Sequence, residues 1–228
     1  MYLIMPFCND LKVLFPKYCM EYCKGTISIK ESSSSAKVKE IVWSNSDFHR
    51  IDPNIVKDMT FFFKIANSSD IFHLDCDGII LFEKDGKKYM FFSELKSTFD
   101  TSDIFHAKDQ IISSYIKINM IMHLLRCYNS NDFIIKGFIV CLPPKPGFLR
   151  DLYRQQMCKP GSKYKEDAEF TLELCYCKSQ KTTLTPKDCF KLKSLPLGDK
   201  GIFRSIDFHY VEVPSGMNSI TLDVDNYI

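Results

Sequence analysis

Two apolar runs flank the dipeptide Asp85-Gly86, and no other feature limits the fold of this chain as tightly. The runs, Ile71–Phe82 and Tyr89–Lys96, carry Ile, Leu, Phe and Tyr, which suit a packed, pleated surface. Asp-Gly favours a two-residue turn because both positions adopt positive φ at low cost. An antiparallel hairpin with its turn across residues 83–88 is therefore expected. Ile79, Ile80, Leu81 and Phe82 on one strand, and Met90, Phe91 and Phe92 on the other, leave no polar face. Such strands are expected to lie centrally, covered on both sides.

The turn also fixes the register. With Asp85 and Gly86 at its centre, Lys84 faces Lys87 and Glu83 faces Lys88. Carried outward, Asp77 faces Glu94 and Asp75 faces Lys96, all on one face. Like charges set opposite each other are destabilising, and charged groups at the end of a buried hairpin need a reason. One reason is a divalent cation shared by the carboxylates. The competing reading has Asp77 capping a loop and Glu94 paired with Lys96 or Lys88 in solvent.

Helix signals stand on both sides. Asp52-Pro53 opens a helix in which Ile55, Val56, Met59, Phe62 and Phe63 recur at helical spacing. Asp100 to Asp103 offer N-caps for a long helix over 102–125, with Ile104, Ile111, Tyr115, Ile118, Met122 and Leu125 on one stripe. His106 and Gln110 share another face of that helix, and Lys108 is expected in solvent. His73, four residues before Asp77, is expected in the same strand. Ser35 is expected to cap a short helix reaching Trp43. A strand over Phe133–Leu142 is stopped by Pro143-Pro144, and residues 147–158 read as a helix. Phe170–Cys177, Phe203–Val213 and Ile220–Val224 read as strands. The fold class expected is α/β, a mixed central sheet flanked by helices, in one domain over 1–228 with a β-rich elaboration over 143–228.

Composition narrows the function classes. With 45% apolar residues and a net charge of +2, the chain is not a disordered one. It has no run of about 18 apolar residues to cross a membrane. No basic leader precedes the first apolar stretch, so a cytoplasmic location is expected. None of the ten cysteines forms a CxxC pair, which favours buried thiols over a zinc site. Residues 136–200 hold thirteen Lys/Arg against seven Asp/Glu, with Tyr153, Tyr164 and Phe170 interleaved. That block reads either as a phosphate-facing surface or as an ordinary solvated one.

The stretch Asp77-Gly-Ile-Ile-Leu … Phe-Phe-Ser-Glu94-Leu-Lys96-Ser resembles the core motif of the PD-(D/E)xK nuclease superfamily, the restriction-endonuclease-like proteins. The resemblance spans residues 70–142. Cys76 stands where the family often has Pro, and Tyr115 follows Gln110 by one residue more than the Gln-x-x-x-Tyr of related recombination nucleases. The resemblance implies a restriction-endonuclease-like core in which Asp77, Glu94 and the Leu95 carbonyl hold Mg²⁺ or Mn²⁺. Lys96 would position or activate the attacking water. Asp75, Gln110 and Glu40 are supporting candidates, Glu40 as the acid of a first helix. The implied reaction is phosphodiester hydrolysis in DNA, in restriction or phage defence, by a homodimer or within a larger defence complex. A catalytically silent nucleic-acid-binding or partner-bound subunit, and an RNA nuclease, are the alternatives.

Overall fold

The hairpin forms where the turn chemistry puts it. In the computed structural model, which describes residues 5–18, 20–158, 165–176 and 180–228, Asp85 and Gly86 have φ of 51° and 73°. The elements run α1 (Met5–Leu14), β1 (Glu21–Cys23), β2 (Thr26–Lys30), β3 (Glu40–Ser44), β4 (Phe48–Arg50) and α2 (Pro53–Ile65). A 3₁₀ turn over Asp70–His73 leads to β5 (Gly78–Lys84), β6 (Lys87–Lys96), α3 (Thr101–Met122) and β7 (Phe133–Cys141). The remainder is α4 (Phe148–Cys158), α5 (Lys165–Cys175), β8 (Lys181–Leu184), α6 (Phe190–Lys193), β9 (Ile206–Glu212) and β10 (Ser219–Asp223).

Seven strands form a mixed sheet in the order β1-β4-β5-β6-β7-β9-β8, and β10-β3-β2 form a second sheet. β4, β5 and β6 are antiparallel, whereas β6, β7 and β9 run parallel. A parallel neighbour requires a crossover, and α3 is that crossover between β6 and β7. Both helices flanking the hairpin start as their caps dictate. The Asp52 carboxylate accepts from the Asn54 amide at 2.9 Å, and Asp100 accepts from the Ser102 amide at 2.7 Å.

Alternation along the central strands splits the core into two layers. Ile79, Leu81, Met90 and Phe92 pack under α3 with Ile111 and Tyr115. Ile80, Phe82, Phe91 and Leu95 pack against Ile27, Ile29, Ile41 and Trp43 of the second sheet. The Trp43 ring lies 4.6 Å from Phe138 and 5.2 Å from Phe91. The sheet order thus puts the C-terminal end of β6 between α3 on one side and the second sheet on the other.

The sheets leave no room for a side chain at Gly78, where an added Cβ would lie 2.5 Å from the Ile29 side chain. Gly78→Ala is therefore expected to cost ~1–3 kcal/mol through overpacking, read as a lower urea midpoint at unchanged slope. An unchanged midpoint would show that Ile29 yields freely.

Three segments differ from the sequence expectation. Ser35–Trp43 is not a helix: Ile41 and Trp43 point inward in alternation, and β3 pairs with β2 and, in parallel, with β10. The strand expected from Ile71 begins only at Gly78, because residues 70–73 form the 3₁₀ turn that carries His73. Phe170–Cys177 falls mainly in helix α5, where Ala168, Phe170, Thr171, Leu174 and Cys175 are buried at helical spacing. Cys177 lies outside the described residues. The part after residue 143 accordingly contributes three helices as well as three strands. Among the described residues no helix is long and apolar enough to cross a membrane.

Candidate active site

The hairpin ladder ends with Gly78 opposite Ser93, and the two carboxylates stand at its next step. Asp77 closes that step differently from a ladder pair: its Oδ2 accepts from the Leu95 amide at 2.7 Å. Glu94 and Lys96 alternate with Leu95, so they face the α3 side of β6 while Leu95 packs toward the second sheet. The Lys96 ammonium lies 2.8 Å from Glu94 Oε1 and donates to Gln110 Oε1 at 2.6 Å. Gln110 Nε2 in turn donates to the Asp75 carbonyl at 2.8 Å. Asp77, Glu94, Lys96, Leu95 and Gln110 are thus brought together.

The electrostatics follow from burial. Glu94 is 3% exposed, and its Oε2 has no hydrogen-bond partner among the described residues. Burial pushes the Glu94 carboxyl up to about 8; the Asp77 charge adds to this and the Lys96 ammonium opposes it. Burial likewise pushes Asp77 up to about 6, against the pull of the Leu95 amide. Two desolvated carboxyl groups, one with an orphaned oxygen, form a hard oxygen donor set facing one lysine.

Asp75 and Glu40 are placed otherwise than the register predicted. Asp75 precedes β5, so it has no ladder partner; it meets the site through its main-chain carbonyl, and its charge acts on Lys117. Glu40 sits on β3 and pairs with Lys30 at 3.7 Å, because the segment is a strand of the second sheet. The acid felt by both Asp77 and Glu94 is Glu31, one residue beyond β2, whose Oε1 accepts from the Ser33 amide at 2.7 Å. The sequence signals Glu31 only as the residue before a serine run, since its approach depends on the stacking of two sheets.

The remaining candidates divide similarly. His106 is exposed on α3, one turn before Gln110, with its imidazole held below its ordinary value by partial burial and the Lys96 charge. His73 lies on the 3₁₀ turn, 3.8 Å from Asp70. Lys108 is buried rather than solvated, 3.3 Å over the Phe105 ring and beside Asp109. Among the described cysteines, Cys8, Cys76, Cys141, Cys175 and Cys189 are buried, and burial pushes their thiols up, Cys189 to about 11.

The basic block is partly engaged in ion pairs, whose only buried lysine is Lys136. Lys136 and Lys181 both reach Asp207, Lys191 reaches Asp109 at 2.7 Å, and Phe170 is in the core. Tyr153 stacks on Tyr176 at 5.7 Å, and Tyr164 lies outside the described residues. A groove of about 840 Å³, lined among others by Phe133, Ile135, Lys200, Arg204 and Asp207, opens at the opposite end of the sheet from Glu94. It contains none of the residues gathered around Asp77.

A divalent cation fits the donors in kind. Among the described residues no three His, Cys, Asp or Glu side chains sit close enough to hold one ion between them. Mg²⁺, however, is commonly held by one or two carboxylates together with waters and substrate phosphate. The orphaned Glu94 oxygen is the atom such an ion would satisfy. No protein-family model, curated protein or solved structure matches the chain.

Proposed function

We propose that this chain is a divalent-metal-dependent endonuclease that hydrolyses phosphodiester bonds in DNA, acting in the cytoplasm in restriction or phage defence. The observation that carries the reading is Glu94 Oε2, buried without a partner beside a second desolvated carboxylate and a lysine. Asp77, Glu94 and the Leu95 carbonyl are the donors that would hold Mg²⁺ or Mn²⁺. The bound ion would supply Lewis-acid activation of a water and neutralise charge on the phosphate.

The chain's own groups have separable tasks. Asp77 is fixed by the Leu95 amide, which sets its distance from β6. Glu94 brings a carboxylate into a buried position, where its charge, once a cation displaces its proton, acts at low dielectric. Lys96, held between Glu94 and Gln110, is placed to orient the attacking water or the scissile phosphate. Gln110 presents its carbonyl oxygen to Lys96 because its amide is anchored on Asp75. Cutting both strands calls for two such sites, which a second copy of the chain would supply.

The test is cleavage of linear and supercoiled DNA, and of RNA of matching sequence, with Mg²⁺, Mn²⁺ or EDTA. Metal-dependent cutting of DNA is the expected result. Cutting of RNA alone would change the substrate. A folded sample that binds DNA and cuts neither would reduce the protein to a binding module on this fold.

A further inference from the structure

The segment Leu74–Cys76 is irregular, yet it delivers Asp77 to the site. It follows the 3₁₀ turn and precedes β5, so its backbone groups have no ladder partners. Buried backbone polar groups must be paired elsewhere. One face of α3 pairs them. Ser113 Oγ donates to the Leu74 carbonyl at 2.8 Å, and the Lys117 ammonium donates to the same oxygen at 2.5 Å. The Cys76 amide donates to Ser114 Oγ at 2.8 Å, and Gln110 holds the Asp75 carbonyl. Residues 110, 113, 114 and 117 follow the i, i+3, i+4, i+7 spacing of one helical face.

Lys117 is the unusual member. It is fully buried, and its ammonium also donates to Thr60 Oγ1 of α2 at 2.5 Å. A buried ammonium is costly unless it is fully engaged. Burial lowers this one to about 8, with the Asp75 charge acting in the opposite sense. A smaller neutral donor would satisfy Leu74, but it would not reach α2 as well. Lys117 therefore joins three pieces of chain, α2, α3 and the segment before β5, at a point three residues from Asp77.

We propose that Lys117 is a positioning residue for the cation site, acting through the Leu74–Cys76 backbone to hold Asp77 against β6. The inference rests on the nuclease reading only for its functional consequence; its structural core is the link from Lys117 to Asp77. The Leu95 amide, which donates to Asp77, reports that link directly. Lys117→Met keeps the side chain's length and removes the ammonium.

The experiment measures amide hydrogen exchange and Mn²⁺ affinity in wild type, Lys117→Met and the double variant with Asp77→Asn. In Lys117→Met the Leu95 amide is expected to exchange at least ~10-fold faster, with the Met90 and Phe91 amides unchanged, and Mn²⁺ affinity is expected to fall about 10-fold. In the Asp77→Asn background, Lys117→Met is expected to cause no further loss of affinity. Uniformly faster exchange would mean a merely structural lysine and would overturn the proposal. So would an unchanged Leu95 amide, or an affinity loss that persists without Asp77. If wild type binds no Mn²⁺ while Leu95 still responds to Lys117, the cation reading fails and the link to Asp77 stands. Should Lys117→Met not fold, Ser113→Ala tests the same Leu74 carbonyl by the same readouts.

Discussion

Glu94→Gln, which preserves shape and removes charge, is expected to abolish metal-dependent DNA cleavage, a loss of roughly 10³-fold or more. It deletes half of the carboxylate pair and leaves an amide where a cation needs an anionic oxygen. Lys96→Met is expected to cost roughly 10²–10³-fold, the range seen when one charge-stabilising donor is removed. Gln110→Leu, which only loosens the hold on Lys96, is expected to cost roughly 10–100-fold. Initial rates on one duplex substrate at saturating Mg²⁺, with folding checked by circular dichroism, give the ranking. If Gln110→Leu were the most damaging of the three, the glutamine rather than Glu94 would touch the reacting atoms. Cutting that survives all three substitutions would remove the site from the hairpin.

Without divalent cation, the folded protein is expected to lose stability as pH rises from 6.5 to 8. Glu94 ordinarily titrates near 4.5, and burial raises it to about 8. Between those values the folded state holds the proton and the unfolded state has released it. Stability therefore falls with rising pH. Other groups act below this window in both senses, His49 and His106 among them, each lowered by burial. Asp77, raised to about 6, adds to the fall at lower pH, whereas His209, lowered by burial to about 4, opposes it up to its ordinary value of 6.5. From 6.5 to 8 Glu94 dominates, and the loss is roughly 2 kcal/mol. Above pH 8 Lys117, lowered to about 8, opposes the fall because it stays neutral in the fold while its unfolded counterpart is still charged, whereas the buried thiols, pushed up by burial, extend it. Urea midpoints at pH 6.5 and 8 in EDTA measure the effect. The same fall in Glu94→Gln would assign it to another group.

The hairpin was the legible part of this chain because its information is local. A two-residue turn fixes every pair from Lys84–Lys87 to Gly78–Ser93, and those pairs form as the turn predicts. Asp77, Glu94 and Lys96 converge for the same reason. Asp75 fails because β5 begins only at Gly78, three residues after it, so no ladder pairs it with Lys96. The second sheet is illegible because one of β3's two partners, β10, lies far away in sequence, and a short apolar run such as Ile41–Trp43 looks alike in helix and strand until it is paired. Phe170–Cys177 is ambiguous in the same way. The exchange of Glu40 for Glu31 follows directly, since an acid on a misplaced element points to the wrong neighbour. The polar face of α3 is visible in sequence, but Gln110, Ser113, Ser114 and Lys117 look like a solvated face until the unpaired backbone opposite them is known.

The parallel pairing of β10 with β3 has a kinetic consequence. Ser44 Oγ donates to the Leu222 carbonyl across 178 residues of chain, so the second sheet closes a very long loop. Contacts of such separation form late, after the local hairpin and α3. On a ribosome, β3 lacks this neighbour until residues 219–223 have emerged. The β10 edge of the layer that carries Ile29 onto Gly78 is thus assembled last, after the local pairing of β2 with β3. Nascent chains therefore carry the hairpin under a cover that lacks its β10 edge, and that cover is completed only once residues 219–223 are available.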